Sequence, residues 1–283
     1  MRRRERGLPP GWYPFDAAGC REEIAEFLAT PAEGVVEGIA RHGIVPHAGW
    51  GYSGRAAAHV FAAVAESGAA PEVVLVYGGH LGSSERPVVY DYDLWESPMG
   101  ELPIDTELTA AVARAADARP EGGRGDNTVE VQVPMVQHFF PDARLVAVHA
   151  PNGPGAIELA NIVVREAGAL GRTVATFGAA DLTHYGAAYG FAPKGHGPEA
   201  VAWVKDDNDR EILDLTLKMD ARGALESADR RNNCCSSGAV AAAITTAAAQ
   251  GAGRATLLDY YTSYDVQPGR NVVGYMGVAF SEG

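Results

Sequence analysis

Short apolar runs that each lead into a turn with a histidine constrain the fold of this chain most. The run at residues 73–77 leads through two glycines into His80, and similar runs precede His47 and His184. Helical patterns separate the runs, and strands that alternate with helices predict an α/β fold with a mostly parallel sheet. Because the carboxyl ends of parallel strands lie at one edge of a sheet, we expect the three imidazoles to lie close together there.

The chain is expected to form a single domain over residues 1–283, because it shows no internal repeat and no linker-like segment. Its basic start, residues 1–8, is expected to be a flexible arm. The last two strand patterns, at residues 256–261 and 272–280, predict a hairpin that adds antiparallel strands and makes the sheet mixed.

Three helical patterns carry particular expectations. Residues 54–66 predict a helix with Ser53 as its N-cap. Residues 127–139 predict another helix, which Pro134 should kink or divide because proline lacks the backbone N–H. Residues 197–219 carry one long, charged helical pattern that we expect to be partly exposed.

Composition and charge restrict the partners of the chain. Hydrophobic residues make up 47% and charged residues 21% of the sequence, as in ordinary globular proteins, and the net charge is −13. Nucleic acids and anionic membranes need a basic face, so neither is expected as a partner. No apolar run approaches ~20 residues, so no membrane span is expected. The three cysteines form no disulfide pattern, which predicts a reducing, cytoplasmic location.

The histidines at the strand ends suit a metal site or acid–base chemistry. Neutral imidazole is the commonest metal ligand, and small residues beside His47 and His80 let the backbone approach an ion. Two hydrogen-bonded loop histidines are the alternative. Asp181 and His184 lie three residues apart after a strand. If a helix begins there, Asp181 is its N-cap, and the helix end holds His184 as the neutral base that proton transfer needs.

Three further side chains and a cysteine pair are candidates for the same site. Cys234 and Cys235 precede an alanine-rich helical pattern, and a helix N-terminus favours the thiolate that binds metal or attacks a substrate. One of the two could instead be a core residue. Trp50 and Tyr52 could line an aromatic pocket or cover the sheet edge. Glu130 lies among valines, where it could hydrogen-bond a ligand histidine or lie on an exposed helix face.

Together these segments resemble the Memo family, whose members are related to class III extradiol dioxygenases. The similarity runs along nearly the whole chain. It rests on motifs that occur in this order: PGWYP at residues 10–14, PHAGWGYSG at 46–54, GGH at 78–80, NTVEVQVP at 127–134, DLTHYG at 181–186, YTSYD at 261–265 and VVGY at 272–275. The resemblance implies a single-domain α/β/α sandwich with a mixed, mostly parallel sheet.

The resemblance also implies a metal, with Fe(II) favoured, bound by two histidines and a cysteine. By matching motifs these ligands are His47, His80 and Cys235, with Cys234 as the alternative thiol. Because thiolate is a soft ligand, copper and zinc remain candidates. His184 matches the acid–base histidine of the dioxygenases, and Asp181 precedes it in both.

Two departures from the family pattern bear on function. Asn127 stands where the family has a histidine, so this position cannot titrate or bind metal, and Ser236 replaces a glycine after the cysteine. The leading hypothesis is a metal-dependent oxidoreductase that acts with O2 on a small substrate, with an aromatic one favoured, bound near Trp50, Tyr52, Glu130 and Asn127. The alternatives are a non-catalytic metal- or ligand-binding interaction protein and a zinc-dependent hydrolase. Association of identical chains is left open.

Overall fold

The fold is given by a computed structural model that describes residues 1–68, 70–123 and 125–283. Its strands are, in chain order, β1 (Arg3–Arg4), β2 (Ala40–Val45), β3 (Val73–Leu81), β4 (Val88–Val89), β5 (Leu94–Ser97), β6 (Gly100–Pro103), β7 (Arg119–Pro120), β8 (Arg144–Pro151), β9 (Val174–Ala179), β10 (His184–Tyr185), β11 (Ala252–Thr262) and β12 (Val272–Glu282). Its α-helices are α1 (Ala17–Leu28), α2 (Trp50–Glu66), α3 (Thr106–Ala115), α4 (Asn127–Glu130), α5 (Val133–Phe139), α6 (Gly155–Ala169), α7 (Pro198–Trp203), α8 (Asp209–Leu217), α9 (Ala221–Arg231), α10 (Ser237–Ala249) and α11 (Ser263–Val266). A 3-10 helix spans Ala187–Tyr189, and a π-helix spans Val204–Asn208.

The main sheet is mixed, with a parallel centre and antiparallel strands toward its edges. Its strand order is β10-β12-β2-β9-β3-β8-β4-β7, and β11 pairs with β12. Strands β2, β9, β3 and β8 are parallel, whereas β12 runs antiparallel to β2 and to β11. Apolar strands joined by helical crossovers produce such a parallel centre. The prediction of a mixed, mostly parallel sheet that ends in a hairpin is confirmed.

Helices cover both faces of the sheet, because its central strands are apolar on both sides. On β3, Val73, Leu75 and Tyr77 belong to the same core as α6 and α10, whereas Val74 and Val76 belong to the core that contains α2 and α5. Successive strand residues point to opposite faces, so each face has a core of its own. Burial of each valine or leucine side chain stabilises the fold by ~1.5–3 kcal/mol. The predicted α/β/α sandwich is confirmed.

Helix α10 packs directly against β9 through small residues. A Cβ at Gly178 would lie 2.6 Å from the Ala239 carbonyl oxygen and 2.9 Å from the Ala243 Cβ, so a larger residue at this strand position would push the helix away. The alanine-rich sequence of α10 permits the same close approach from the other side. This contact fixes the start of α10, and the two cysteines before it, at the carboxyl edge of the sheet.

The first eight residues do not form the flexible arm expected from the sequence. Strand β1 pairs in parallel with β5, Arg3 opposite Leu94. The backbone N–H groups of Gly7 and Leu8 each donate to the Glu130 carboxylate at 2.8 Å. The basic side chains of this segment form ion pairs with carboxylates that lie near β5 and on β6 of the same chain. The composition of the segment alone does not reveal these partners.

Helix α2 begins at Trp50, four residues before the predicted start. Gly49 is its N-cap, and the Ser53 backbone N–H already donates to the Gly49 carbonyl at 3.1 Å. The Ser53 hydroxyl, predicted to cap the helix, donates instead to the Ala48 carbonyl at 3.0 Å. The prediction followed the side-chain preference of serine for the cap position, whereas the helix starts a turn earlier on backbone hydrogen bonds.

The other two helical patterns are divided. The pattern at residues 127–139 forms α4 and α5, and Pro134 lies in the first turn of α5, where its missing N–H costs nothing. The pattern at residues 197–219 forms α7, the π-helix and α8. Helix α9 follows and was not predicted, because its buried face consists of small residues and one leucine. Among the described residues, no helix is both long and apolar enough to cross a membrane.

Candidate metal centre

Two histidines and a cysteine lie together at the carboxyl edge of the sheet. His47 follows β2, His80 lies near the end of β3, and Cys235 precedes α10. The Cys235 Sγ lies 3.2 Å from the His47 Nε2, and the centroids of the two imidazoles are 5.1 Å apart. One donor atom from each residue lies within 4.8 Å of the other two. We call these three residues the candidate metal centre.

Asp181 ties the segments of the centre together. Its Oδ1 accepts the His47 backbone N–H at 2.7 Å, and its backbone carbonyl accepts the Cys235 N–H at 3.1 Å. From another segment, the Asn127 Nδ2 donates to the His47 carbonyl at 2.9 Å. The position of the His47 backbone is therefore set by two side chains that contact it directly.

The turn before His80 requires a glycine. Gly79 has φ +91°, and a Cβ there would lie 2.5 Å from the His149 side chain. The Gly79 carbonyl accepts the Ser236 hydroxyl at 2.8 Å, which joins the His80 turn to the cysteine turn. Contacts made by the backbone therefore set the spacing of the three donors.

The chemistry of the three donors fits a metal ion. Burial lowers the pKa of His47 to about 4. His80 is 44% exposed, and its partial desolvation together with the neighbouring His47 lowers its pKa to about 4. Both imidazoles are therefore neutral at pH 7, which is the form that binds metals. Burial, with a smaller contribution from Asp181, raises the pKa of the Cys235 thiol well above its ordinary value. A bound cation would offset this penalty by replacing the thiol proton, and two imidazoles with a thiolate suit iron, zinc or copper rather than magnesium or calcium.

Asp181 and His184 lie beside the centre but do not begin a helix. His184 starts β10, so Asp181 is not the N-cap considered from the sequence. Burial lowers the pKa of His184, against the charge of Asp181, and burial raises the pKa of Asp181. The His184 Nδ1 lies 3.2 Å from the Leu182 carbonyl oxygen. In the neutral tautomer that donates a hydrogen bond from Nδ1–H to this carbonyl, Nε2 carries no proton and can accept one.

An open cavity of about 810 Å³ adjoins the centre. Its wall includes His47 and His80 together with Asp181 and His184. The other described residues that line it are Pro10, Gly11, Trp12, Ala48, Gly49, Tyr52, Asn127, Tyr189, Ser263, Gln267, Pro268, Gly269, Arg270, Asn271, Val273 and Tyr275. The cavity is within the range of ~300–1,000 Å³ that small-molecule sites occupy.

The structure places two of the four predicted substrate-binding residues, Tyr52 and Asn127, on the wall of this cavity. Trp50 is elsewhere: it is 2% exposed, and its Nε1 donates to the Val131 carbonyl at 3.0 Å. Because α2 begins at Trp50, this side chain enters the core. The tryptophan that lines the cavity is Trp12, which belongs to the PGWYP motif but was given no role in the site from the sequence.

Glu130, the fourth predicted residue, holds the N-terminal segment in place. Its carboxylate accepts the backbone N–H groups of Gly7 and Leu8 and the Tyr13 hydroxyl at 2.8–2.9 Å. None of its hydrogen bonds in the described part of the chain goes to a ligand histidine. Its buried position among valines is therefore explained by a structural contact rather than by the metal centre.

Sequence comparison is consistent with this geometry. A family model described as Memo-like protein matches residues 4–279. The chain belongs to this family. A MEMO1 family protein of Thermococcus onnurineus is 29% identical over 281 residues, which cover 95% of this chain and 96% of the relative. A MEMO1 family protein of Methanosarcina barkeri is 32% identical over 241 residues, which cover 83% and 84%.

The fold of this Memo-like protein is shared by a solved structure. The crystal structure of an uncharacterised protein from Escherichia coli K12 matches with a TM-score of 0.50 at 12% identity, over 77% of this chain and 90% of that one. A likeness at this identity shows the fold alone. The family resemblance inferred from the sequence motifs is confirmed.

In this Memo-like protein the structure separates the two adjacent cysteines. Cys235 lies with His47 and His80. Cys234 belongs to the core beneath α10, and burial raises the pKa of its thiol to about 12. Of the two thiols left open by the sequence, Cys235 is the one positioned as a donor.

Sequence reasoning missed a carboxylate–imidazole pair behind His80. The Asp126 Oδ1 lies 3.3 Å from the His149 Nε2, and its Oδ2 lies 3.9 Å from the His80 Nδ1. The Tyr90 hydroxyl lies 2.9 Å from the same His149 nitrogen. The sequence feature that could have indicated this pair is that His149, like His80, follows an apolar strand pattern. From the sequence, His149 was instead interpreted as a surface or core residue.

A second missed group supports the segment between Asp181 and His184. The buried Asp209 accepts the Thr183 backbone N–H at 3.0 Å and the Tyr260 hydroxyl at 2.9 Å. Asn208, at the end of the π-helix, donates to the Thr183 hydroxyl at 2.9 Å and accepts the Asn233 side-chain N–H at the same distance. Single-turn π-helices are frequent near functional sites. These contacts join the His184 segment to the cysteine turn.

Proposed function

We propose that this Memo-like protein is a metal-dependent oxidoreductase, similar to class III extradiol dioxygenases, that binds Fe(II) and acts with O2 on a small aromatic substrate. His47, His80 and Cys235 would hold the ion. The observation that carries the proposal is the convergence of these three donors beside an open cavity of small-molecule size. Three protein ligands leave positions on the metal for other molecules.

Fe(II), when bound, would supply the redox chemistry that lets O2 react with a stable organic molecule. The residues of the chain bind, orient and exchange protons. His184 is neutral at pH 7 because burial lowers its pKa, so its Nε2 can take a proton from a substrate hydroxyl. The Asp181 carboxylate beside it stabilises the imidazolium that results. The free thiols Cys20, Cys234 and Cys235 support a cytoplasmic location, where thiols stay reduced.

Aromatic side chains on the cavity wall support an aromatic substrate. The Tyr189 ring meets the His184 imidazole edge to face, with centroids 4.9 Å apart. Tyr52 and Tyr275 line the same cavity. Aromatic rings prefer offset-stacked or edge-to-face neighbours, so this wall favours a planar ligand beside His184.

Metal analysis and oxygen uptake test the proposal. Protein purified without added metal is analysed for iron, zinc and copper, then reconstituted anaerobically with Fe(II) and assayed for O2 uptake with catechol and with 2-aminophenol. We expect one Fe(II) per chain and substrate-dependent O2 uptake, both abolished in His47→Ala and Cys235→Ala. The matched control, Cys234→Ala, removes the neighbouring thiol and should retain both.

The alternatives give distinct results in the same experiment. Bound zinc with hydrolysis of esters or amides would indicate a hydrolase. A bound metal that never reacts with O2 in the presence of either substrate would indicate a binding protein. A wild-type chain that retains no metal, or a His47→Ala variant that retains as much as the wild type, would refute the proposal.

A further inference from the structure

The charges on the cavity wall differ from those of the chain as a whole. The chain has 36 acidic residues and a net charge of −13. Among the described residues that line the cavity, Asp181 is the one with a carboxylate and Arg270 the one with a cationic side chain. Asp181 is buried and already engaged by the His47 backbone. The cavity wall is therefore less acidic than the chain as a whole, so an anionic ligand meets less electrostatic repulsion there.

Arg270 lies on the cavity wall without a carboxylate partner. It belongs to the loop between α11 and β12 and is exposed. Two other arginines, by contrast, are held by carboxylates: Arg55 by Asp259 at 2.8 Å, and Arg172 by Asp105 at 2.9 Å. No ion pair involves Arg270 within the residues that the structure describes. Its guanidinium donors are available to a ligand.

The loop that carries Arg270 is fixed against the His184 segment. Gly186 has φ +120°, and a Cβ there would lie 2.8 Å from the Arg270 carbonyl oxygen and 2.4 Å from the Asn271 Oδ1. The Asn271 Oδ1 also accepts the Ala188 N–H at 3.1 Å. At the other end of the loop, the Tyr52 hydroxyl donates to the Gln267 side chain at 3.2 Å. Arg270 thus lies on a tethered loop beside the turn that follows His184.

We propose that the cavity takes a planar aromatic ligand that carries an anionic group, and that Arg270 binds this group. The proposal rests on the proposed function, because the ligand shares its cavity with the metal centre. Trp12, Tyr52, Tyr189 and Tyr275 supply aromatic surface for the ring. A guanidinium binds a carboxylate through two parallel N–H···O bonds, a geometry that a neutral amide cannot match. Arg270 therefore determines specificity rather than taking part in the reaction.

Ligand binding tests the proposal without turnover. Affinities of the protein as purified are measured anaerobically, by titration calorimetry, for 3,4-dihydroxybenzoate, 3,4-dihydroxybenzamide and catechol. We expect the acid to bind about tenfold more tightly than the amide at low salt, the size of a favourable charge-assisted contact. In Arg270→Gln this ratio should fall to about one. The control Arg222→Gln removes an exposed arginine from α9, away from the cavity, and should keep the wild-type ratio.

Failure of this proposal and failure of the proposed function are distinguishable. Equal affinities of acid and amide in the wild type, a preference that survives in Arg270→Gln, or no binding of any of the three probes would overturn the ligand class. O2 uptake with catechol would stand in the first two of these cases. Conversely, an acid preference that depends on Arg270, without O2 uptake, would refute the oxidoreductase and leave the ligand class in place.

Discussion

Replacing Asp209 by asparagine should change how the stability of the protein depends on pH. Burial raises the pKa of this carboxyl from 3.8 to about 7, against hydrogen bonds from Thr183 and Tyr260. The folded state therefore favours the neutral carboxyl. The stability contributed by Asp209 is fully present below pH 4 and is lost as the pH rises toward 7. The shift of about three pH units, at ~1.4 kcal/mol each, amounts to about 4 kcal/mol over the whole window.

Asparagine has nearly the shape of the neutral carboxyl, so Asp209→Asn should match the wild type at low pH and surpass it at high pH. Between pH 5 and 8, which covers most of the window, we expect the difference in unfolding free energy to move by about 3 kcal/mol in favour of the variant. Urea unfolding of both proteins, followed by tryptophan fluorescence with a chelator present, measures this difference. Comparing the two proteins cancels the titration of every other group. A difference that stays constant between pH 5 and 8, or moves toward the wild type, would refute the reasoning.

Three further outcomes are expected. Cys235→Ser should weaken metal binding at least ~100-fold, which exceeds the effect of losing a residue that only hydrogen-bonds a metal ligand. Cys234→Ser should leave the affinity unchanged. Competition with a chromophoric chelator measures both affinities, and equal losses in the two variants would contradict the assignment. Glu130→Gln should destabilise the fold by ~2 kcal/mol and expose the N-terminal segment to limited proteolysis, because charge-assisted bonds are lost; unchanged cleavage would refute this role. Gly186→Ala should loosen the loop at residues 267–271 and reduce the acid–amide preference while metal content stays constant; loss of metal would show that the substitution damages the centre instead.

The central sheet and the two histidines could be predicted from the sequence because the signals are local. Each apolar run is long enough to be a strand, and His47 and His80 follow their runs within a few residues. Parallel strands then bring their ends to one edge without further information. The family motifs fixed the order of the remaining segments.

Other parts of the site depend on contacts that no local pattern contains. Whether Cys234 or Cys235 faces the centre depends on how α10 packs on β9, which the close approach at Gly178 sets. Trp50 was predicted to line a pocket because it closely follows His47, but α2 begins at this residue and its side chain enters the core. For Trp50, a difference of four residues in the helix start decides that the side chain faces the core rather than the cavity.

The departure at Asn127 can be understood from the same packing. Its amide donates to the His47 carbonyl, a contact that requires a hydrogen-bond donor but no titratable group. An imidazole nevertheless lies close by, since His149 pairs with Asp126 next to His80. Burial alone would raise the pKa of Asp126, but hydrogen bonds with His149 and Thr128 lower it below its ordinary value. The ionised Asp126 carboxylate is not one of the three donors, but it adds negative charge beside His80. The site therefore attracts a dication more strongly than the two neutral imidazoles and the thiolate would alone.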